Sequence, residues 1–357
     1  MMIGSSRSAI RASRAVKASA SLRDVNAMLR RGFAFSTRLA NYSNTIPNLA
    51  AGPHSNVIVQ GFTGKASTVH TQISLDMGTN VVGGVAPGKG GSKHLGGRPV
   101  FNSIKQVLDA GIRVDATSVF VPPALAADAI IEAINAEIPL IVSVAEGVPV
   151  KDQFRVMEAL HSQSKSRLLG ANSPGFCNPR GCRMGISPLI TCAPGPVGIV
   201  SRSGTLSYEA AYATKPIGQS YILGLGGDFY PGTRTVEALE FLFNDPNTQA
   251  IVLAGEIGGT MEEEVYALLH DPNCKYRQAH DKDKFVKPIV GFIAGLNTPP
   301  GQMFGHAGAI WRDNTSSAVE KKMMWNDAGI RMADAIADVG KLIQQEMDRY
   351  GIRANKS

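Results

Sequence analysis

Val57-Ile58-Val59-Gln60-Gly61-Phe62-Thr63-Gly64-Lys65-Ala66-Ser67 is a short apolar strand, a glycine turn and a run that can continue as a helix to Met77-Gly78. The glycines permit a tight bend and let backbone N–H groups approach a phosphate at the helix N-terminus. The stretch reads as a nucleotide-type βα entry. It is not the G-x-G-x-x-G fingerprint, and a purely structural turn would look the same. The next strand, Asn80-Val81-Val82, enters Gly83-Gly84-Val85-Ala86-Pro87-Gly88-Lys89-Gly90-Gly91. This nearly spells a P-loop, but Gly90 stands where Ser or Thr should hold magnesium, and no amphipathic helix is expected after it. Lys89 suits an anionic ligand with several phosphates, held as a point charge; a solvated lysine would read alike.

Downstream, elements alternate: a helix at Ser103–Ala110, a strand at Ser118–Val121, a helix at Ala124–Ala136, a strand at Leu140–Val144, a helix at Lys151–Ser162 and a strand at Arg167–Gly170. This βαβα order predicts a doubly wound parallel sheet whose ligand crevice lies at the strands' carboxyl ends, including the Ala145-Glu146-Gly147 loop. The Pro/Gly/Cys-rich stretch 174–196 breaks the pattern, and residues 176–196 read as a linker. A second α/β unit follows. Its strands Val197–Val200, Ser220–Leu223, Ala250–Leu253 and Lys287–Phe292 lead into Ser201-Arg202-Ser203-Gly204-Thr205, Gly224-Leu225-Gly226-Gly227-Asp228, Gly255-Glu256-Ile257-Gly258-Gly259 and Ala294-Gly295. Ser203 can N-cap a helix whose early N–H groups stay free for an anion. Beyond lies Pro299-Pro300-Gly301-Gln302-Met303-Phe304-Gly305-His306-Ala307-Gly308-Ala309-Ile310, a flexible-looking loop presenting one imidazole among small residues. Parallel strands put Ser203, Glu256 and His306 on one edge. From Ala333 to Met347 an amphipathic helix is expected, with Ile336, Val339, Ile343 and Met347 on one face.

With 357 residues, 44% apolar content and 38 glycines, the chain suits two domains with proper cores. The +7 charge is confined to residues 1–44, which carry eight Lys/Arg and one acid; the remainder is neutral, with 28 of each sign. A basic nucleic-acid surface therefore loses its support. The Ser/Ala/Arg-rich, acid-poor segment 1–44 reads as a mitochondrial transit peptide, with cleavage near Arg31–Thr37, and implies the matrix. No later apolar run is long enough to span a bilayer. Cys177, Cys182, Cys192 and Cys274 form no CxxC pair, so free thiols and no zinc site are expected.

Gly61–Gly64, Pro87–Gly91, Ser201–Glu209, Gly255–Gly259 and Gly305–Ile310 occur in order, and together they closely resemble the α subunits of succinyl-CoA synthetase (succinate–CoA ligase) from about Val57 almost to the end. The resemblance implies a CoA-binding Rossmann-like domain over 45–175 and a flavodoxin-like ligase domain over 197–357. The implied reaction converts succinate, CoA and a nucleoside triphosphate into succinyl-CoA, the diphosphate and phosphate, within the citric acid cycle. It implies a phosphorylated histidine at His306 with Glu256 as its partner, phosphate stabilisation at Ser203, Gly204 and Thr205, and a substrate-site tyrosine at Tyr208. Its CoA contacts fall on Thr63, Gly64, Lys65, Ala66, Lys89, Val144, Ala145 and Glu146. It further implies that ATP or GTP with Mg2+ binds an ATP-grasp β subunit in an obligate heterodimer.

The chemistry agrees: a carboxylate must be activated as an acyl phosphate before a thiol attacks it, and a histidine can relay the phosphoryl group. The chain departs from the family at Ser67, where a third glycine is usual, and at Ser173, where cysteine is usual. It also departs at Gln302–Phe304, at Trp311–Ser317 and in an extra charged segment, Asn273–Lys284. Ser67 is expected to tighten the first loop by removing a permissive φ. A CoA-binding regulatory subunit without turnover, or a ligase for another dicarboxylate such as malate, would keep much of the same pattern.

Overall fold

The computed structural model describes residues 42–311 and 315–353. Most of the basic segment expected as a transit peptide, and Arg312-Asp313-Asn314 of the altered loop, lie outside the described residues. The first domain runs β1 (Val57–Gln60), α1 (Lys65–Asp76), β2 (Val81–Val85), β3 (Lys93–His94), β4 (Arg98–Phe101), α2 (Ile104–Asp109), β5 (Ala116–Val119), α3 (Pro123–Asn135), β6 (Leu140–Ser143), α4 (Val150–His161) and β7 (Arg167–Leu169). Its sheet has the order β3-β4-β2-β1-β5-β6-β7, parallel except for the short antiparallel edge strand β3. Counted without β3, the six parallel strands lie in the order 3-2-1-4-5-6 of dinucleotide-binding folds. Helices cover both faces, so β1, β5 and β6 are buried at every residue, and the polar side chains among them find partners inside, Thr117 Oγ1 donating to Gln60 Oε1 at 3.1 Å.

The second domain continues with β8 (Gly175–Asn178), β9 (Cys182–Gly185), β10 (Pro194–Ser201), α5 (Gly204–Thr214), β11 (Gln219–Gly224), α6 (Thr235–Asn244), β12 (Ala250–Glu256), α7 (Met261–His270), β13 (Ile289–Ala294), α8 (Ala318–Asp327), β14 (Arg331–Met332) and α9 (Val339–Arg349). Its sheet runs β14-β13-β12-β10-β11-β8-β9. The parallel part, β10 to β14, has the 2-1-3-4-5 order of flavodoxin-like folds. The α/β class and its Rossmann-like first domain match the expectation from sequence.

Three expectations are corrected. Residues 176–196 are not a free linker: β8 and β9 form an antiparallel hairpin, and β8 pairs with β11, Ile222 opposite Cys177. The prolines misled because Pro179 occupies the hairpin turn while both strands are fully buried. The boundary at residue 44 also falls too late, since Tyr42 is buried between the domains and its hydroxyl donates to Gly232 O at 2.6 Å. The terminal helix starts at Val339 rather than Ala333. Ile336 lies in a preceding 3-10 turn, Ile336–Asp338, while Val339, Ile343 and Met347 are fully buried.

Two buried arginines bind the domains together. Arg167 of β7 reaches Glu237 on α6 at 3.0 Å and lies over the Tyr42 ring at 4.1 Å. Arg183 of β9 donates to His70 O and Ser74 Oγ on α1, both at 2.9 Å. One apolar cluster includes Val57, Leu140 and Leu169 of the first sheet and Phe176, Val200 and Leu223 of the second. A shared apolar core fixes the relative placement of two domains more firmly than a polar interdomain contact would. No helix among the described residues is long and apolar enough to cross a membrane.

Candidate active site

The parallel order of the second sheet makes β10 and β12 neighbours, with Val197–Ser201 paired to Ala250–Ala254. Chain connections diverge at this point of a doubly wound sheet, leaving a crevice at the strands' carboxyl ends. Arg202 and Ser203 follow β10, Gly227 and Asp228 follow β11, Glu256 ends β12, and the His306 loop follows β13. Four neighbouring strands thus supply one site.

The segment around His306 is a closed turn rather than a shapeless loop. Gly301 N donates to Trp311 O at 2.9 Å, Phe304 N to Ala309 O at 3.0 Å and Ala309 N to His306 O at 3.0 Å. Gly308 N donates to Gly227 O at 3.1 Å, which docks the turn on the loop after β11. The docking needs glycine on both sides. A Cβ on Gly227 would stand 2.7 Å from His306 Nδ1, and one on Gly258, which has a φ of +76°, would run into Gly308 O and Ile310.

His306 Nδ1 lies 2.9 Å from both Oε1 and Oε2 of Glu256. A carboxylate only accepts, so Nδ1 carries a proton, and in the neutral ring Nε2 keeps its lone pair. The hydrogen bond to Glu256 raises the His306 pKa above its ordinary 6.5, against burial and the nearby Arg202 charge; Glu146 of the first domain also pulls it upward. Asp228, buried at the same spot and accepting from Gln153 Nε2 at 3.1 Å, has its pKa raised by desolvation, opposed by Asn172 and His306. The imidazole is therefore within electrostatic reach of the first domain as well as of the second.

Arg202, Gly227 and Asp228 stood in the quoted loops without an assigned role. Their composition carried no sign of it: an Arg between two serines and a Gly-Asp pair are equally common in turns. The Arg202 Nε lies 3.4 Å from Glu256 Oε1, and its Nη1 donates to Gly258 O at 3.1 Å.

The Ser203 side chain N-caps α5, its Oγ accepting from Leu206 N at 3.5 Å. The N–H groups of Gly204 and Thr205, in the first turn, have no intrahelical acceptor. Tyr208 lies one turn on. Burial raises its pKa, against the neighbouring Arg183 and Ser187. Among the described residues, His306 is hydrogen-bonded through its ring to Glu256 and not to Ser203, Thr205 or Tyr208.

In the first domain Gly64 is the N-cap of α1 and has no side chain to cap it, so the first-turn N–H groups of Lys65, Ala66 and Ser67 remain open to a ligand. Lys89, after β2, donates to Thr63 Oγ1 at 3.0 Å, which holds its ammonium over that turn. Val144, Ala145 and Glu146 follow β6, on the same edge but two strands from β1. Ala145 O accepts from Asn172 N at 2.9 Å, and Glu146 is exposed. The two groups thus lie at the same carboxyl edge of the first sheet, and Glu146 is within electrostatic reach of His306.

Ser67 does not strain the first loop as expected. It is a helical residue of α1 outside the positive-φ positions, and its Oγ donates to Phe62 O at 3.3 Å. Ser173 Oγ donates to Gly224 O at 2.7 Å and accepts from Gly175 N at 2.9 Å, so it ties the hairpin to β11. The segment around 273–284 packs on α6, with Tyr276 stacked on Phe243 at 4.2 Å. All four cysteines are free thiols, and no cluster of His, Cys, Asp or Glu among the described residues could hold a metal ion.

Comparison with known proteins covers both domains. Residues 53–147 match the CoA binding domain family, and residues 200–328 match the CoA-ligase family. The chain is 39% identical over 302 residues to the succinate–CoA ligase (ADP-forming) subunit alpha of Staphylococcus epidermidis, covering 84% of this chain and 95% of that one. It is 40% identical over 297 residues to subunit alpha 1 of the Archaeoglobus fulgidus enzyme, covering 83% and 97%. Among solved structures, ATP citrate lyase from Methanosaeta concilii superposes with a TM-score of 0.76 at 23% identity, over 87% of this chain and 53% of that one. An acetyl-coenzyme A synthetase of Ca. Korarchaeum cryptofilum gives 0.61 at 21%, over 80% and 59%. These two likenesses bear on the fold alone. With near-complete coverage of relatives at about two-fifths identity, the chain belongs to the succinate–CoA ligase α-subunit family.

Proposed function

We propose that this chain is the α subunit of a succinate–CoA ligase in which His306 carries a phosphoryl group between nucleotide and succinate. The observation that carries the reading is the paired hydrogen bond from His306 Nδ1 to Glu256, at the divergence of β10 and β12 and within electrostatic reach of Glu146 of the first domain. With Nδ1 protonated, Nε2 is the nucleophile. It attacks the γ-phosphorus of the nucleoside triphosphate, and the diphosphate leaves. Positive charge then develops on the ring, where Glu256 stabilises it and holds the ring plane. The free N–H groups of Gly204 and Thr205 are oriented for a phosphoryl or carboxylate oxygen. Succinate takes the phosphoryl group from Nε2 as an acyl phosphate, the CoA thiolate attacks its carbonyl carbon, and inorganic phosphate departs. Lys89 and the open N-terminus of α1 suit the phosphates of CoA, Val144–Glu146 would lead its thiol end toward His306, and Tyr208 lines the succinate site.

In this reading the nucleotide and its Mg2+ belong to a partner β subunit of ATP-grasp type, so turnover requires the heterodimer and the choice of ATP or GTP lies with that partner. The basic, acid-poor character of residues 1–44 supports delivery to the mitochondrial matrix and a place in the citric acid cycle. The test is to co-express the mature chain with its β partner and incubate with γ-labelled nucleotide. Acid-labile, base-stable label that vanishes in His306→Ala is expected. A competent complex that takes no label, yet binds CoA, would overturn the proposal in favour of a regulatory subunit. Faster acyl-CoA formation from malate than from succinate would overturn the substrate assignment.

A further inference from the structure

Beneath Glu256 lies a buried cluster that the reaction described above does not use. Lys321, on the first turn of α8, is fully buried, and so is Glu262 on α7. Their ion pair is 2.6 Å long. Together they grip the main chain of Glu256 from both sides: Glu256 N donates to Glu262 Oε1 at 3.2 Å, and Lys321 Nζ donates to Glu256 O at 3.2 Å. Lys321 Nζ also reaches Gly258 O at 2.8 Å and Gly259 O at 3.4 Å, with Glu263 at 3.6 Å. The turn so held carries the Glu256 side chain at one end. At Gly258 it touches the backbone of Gly308 and Ile310 from the His306 turn.

Stability alone does not account for this arrangement. Taking an ammonium and a carboxylate out of water costs several kcal/mol per ion, and apolar residues of similar volume often do as well or better. What an ammonium with three directed donors supplies is a fixed geometry for several carbonyls at once. Helix α8 is itself anchored, since Ser317 and Glu320 close a reciprocal capping box at its start.

We propose that Lys321 is a positioning residue for phosphoryl transfer: with Glu262 it fixes the Glu256–Gly259 turn, and so the aim of the carboxylate that orients His306. The inference rests on the reading of His306 as phosphoryl carrier, and its first readout does not depend on turnover. The neighbouring Lys322 offers a control. It lies on the same helix, is partly exposed and pairs with Asp334 at the surface at 2.7 Å.

The test uses the α–β complex with Lys321→Met, the charge-neutral pair Glu262→Gln/Lys321→Met, and Lys322→Met. In Lys321→Met alone Glu262 keeps only Arg202, 3.7 Å from its Oε1, as a counter-charge, and its less balanced charge would pull His306 toward protonation and mask a loss of aim. The double variant removes both charges, keeps an acceptor for Glu256 N, and is the informative one. Diethyl pyrocarbonate acylates neutral imidazole, so peptide mass spectrometry of His306 across pH reads its protonation midpoint without phosphoryl transfer. The groups facing that ring are Glu256, Arg202, Glu146 and Asp228, all unchanged in these variants. The expected result is a double variant that melts cooperatively, with a His306 midpoint below that of wild type and phosphohistidine formation slowed by about tenfold or more. Lys322→Met should match wild type in both. A folded double variant with wild-type midpoint and labelling rate would overturn the proposal, as would equal losses in Lys322→Met. If the wild-type complex takes no label, the carrier reading fails, while the acylation midpoints still decide whether Lys321 aims Glu256.

Discussion

Replacing Gly227 by alanine puts the His306 geometry under direct test. The added Cβ would stand 2.5 Å from His306 Cδ2 and 2.7 Å from Nδ1. Carbon atoms pack at about 3.5–4.0 Å, so the ring must retreat by roughly 1 Å. It cannot then keep both 2.9 Å bonds to Glu256. Two costs compete. Overpacking costs about 1–3 kcal/mol, and the low end applies here because Gly301 to Gly305 are exposed and free to shift the turn. Misplacing a reacting group by about 1 Å costs on the order of a hundredfold in rate, or about 2.7 kcal/mol of barrier. The rate effect should dominate. Single-turnover quench-flow labelling of the α–β complex measures it, with calorimetric CoA binding and thermal melting alongside. The expected result is slow phosphohistidine formation in a protein that melts nearly as wild type and binds CoA normally. Wild-type labelling in Gly227→Ala would refute the claim that the ring must sit against residue 227. Loss of CoA binding in step with labelling would refute its local character.

Glu256→Gln should slow labelling by about 10–100-fold. It should also move the acid limb of the labelling profile to lower pH, because burial and Arg202, which remain, both favour neutral His306; an unmoved limb would contradict the assignment. The linkage sign follows from the raised pKa. The pair's contribution to stability is complete below the ordinary value of 6.5 and is lost as pH rises through the higher folded value, so the variant's melting temperature should vary less than wild type over that window. Lys89→Ala should weaken CoA binding by about tenfold and leave phosphohistidine formation unchanged; calorimetry and labelling in parallel check this. Gly84→Ala brings a Cβ within 2.5 Å of the Phe62 ring and should destabilise the protein by about 1–3 kcal/mol, read from denaturant unfolding; an unchanged midpoint would contradict the packing.

Legibility in the sequence followed the range of the interactions concerned. The turn at Gly61–Gly64 and the cap at Ser203 are set by residues within a few positions of one another, and the structure has them where glycine and serine chemistry put them. The hairpin of β8 and β9 was hidden because proline spacing signals breaks without saying what lies between them, and its pairing with β11 joins Cys177 to Ile222, 45 positions away in the chain. Arg202 carried no distinguishing pattern. Lys321 is the sharpest case: nothing in Glu320-Lys321-Lys322 tells the two adjacent lysines apart, yet one is fully buried and its neighbour pairs at the surface.

The sequence by itself determined the alternation of strands and helices, the glycine turns that open both domains, and the choice of histidine, glutamate and serine at three separate strand ends. Only the tertiary structure decided that β10 and β12 lie side by side, that His306 meets Glu256 at 2.9 Å, and that a buried lysine holds the turn beneath them. The physical reason is that strand order and the burial of a charge are settled by non-local pairing and desolvation. Both depend on residues far away in the chain, and no local pattern encodes them.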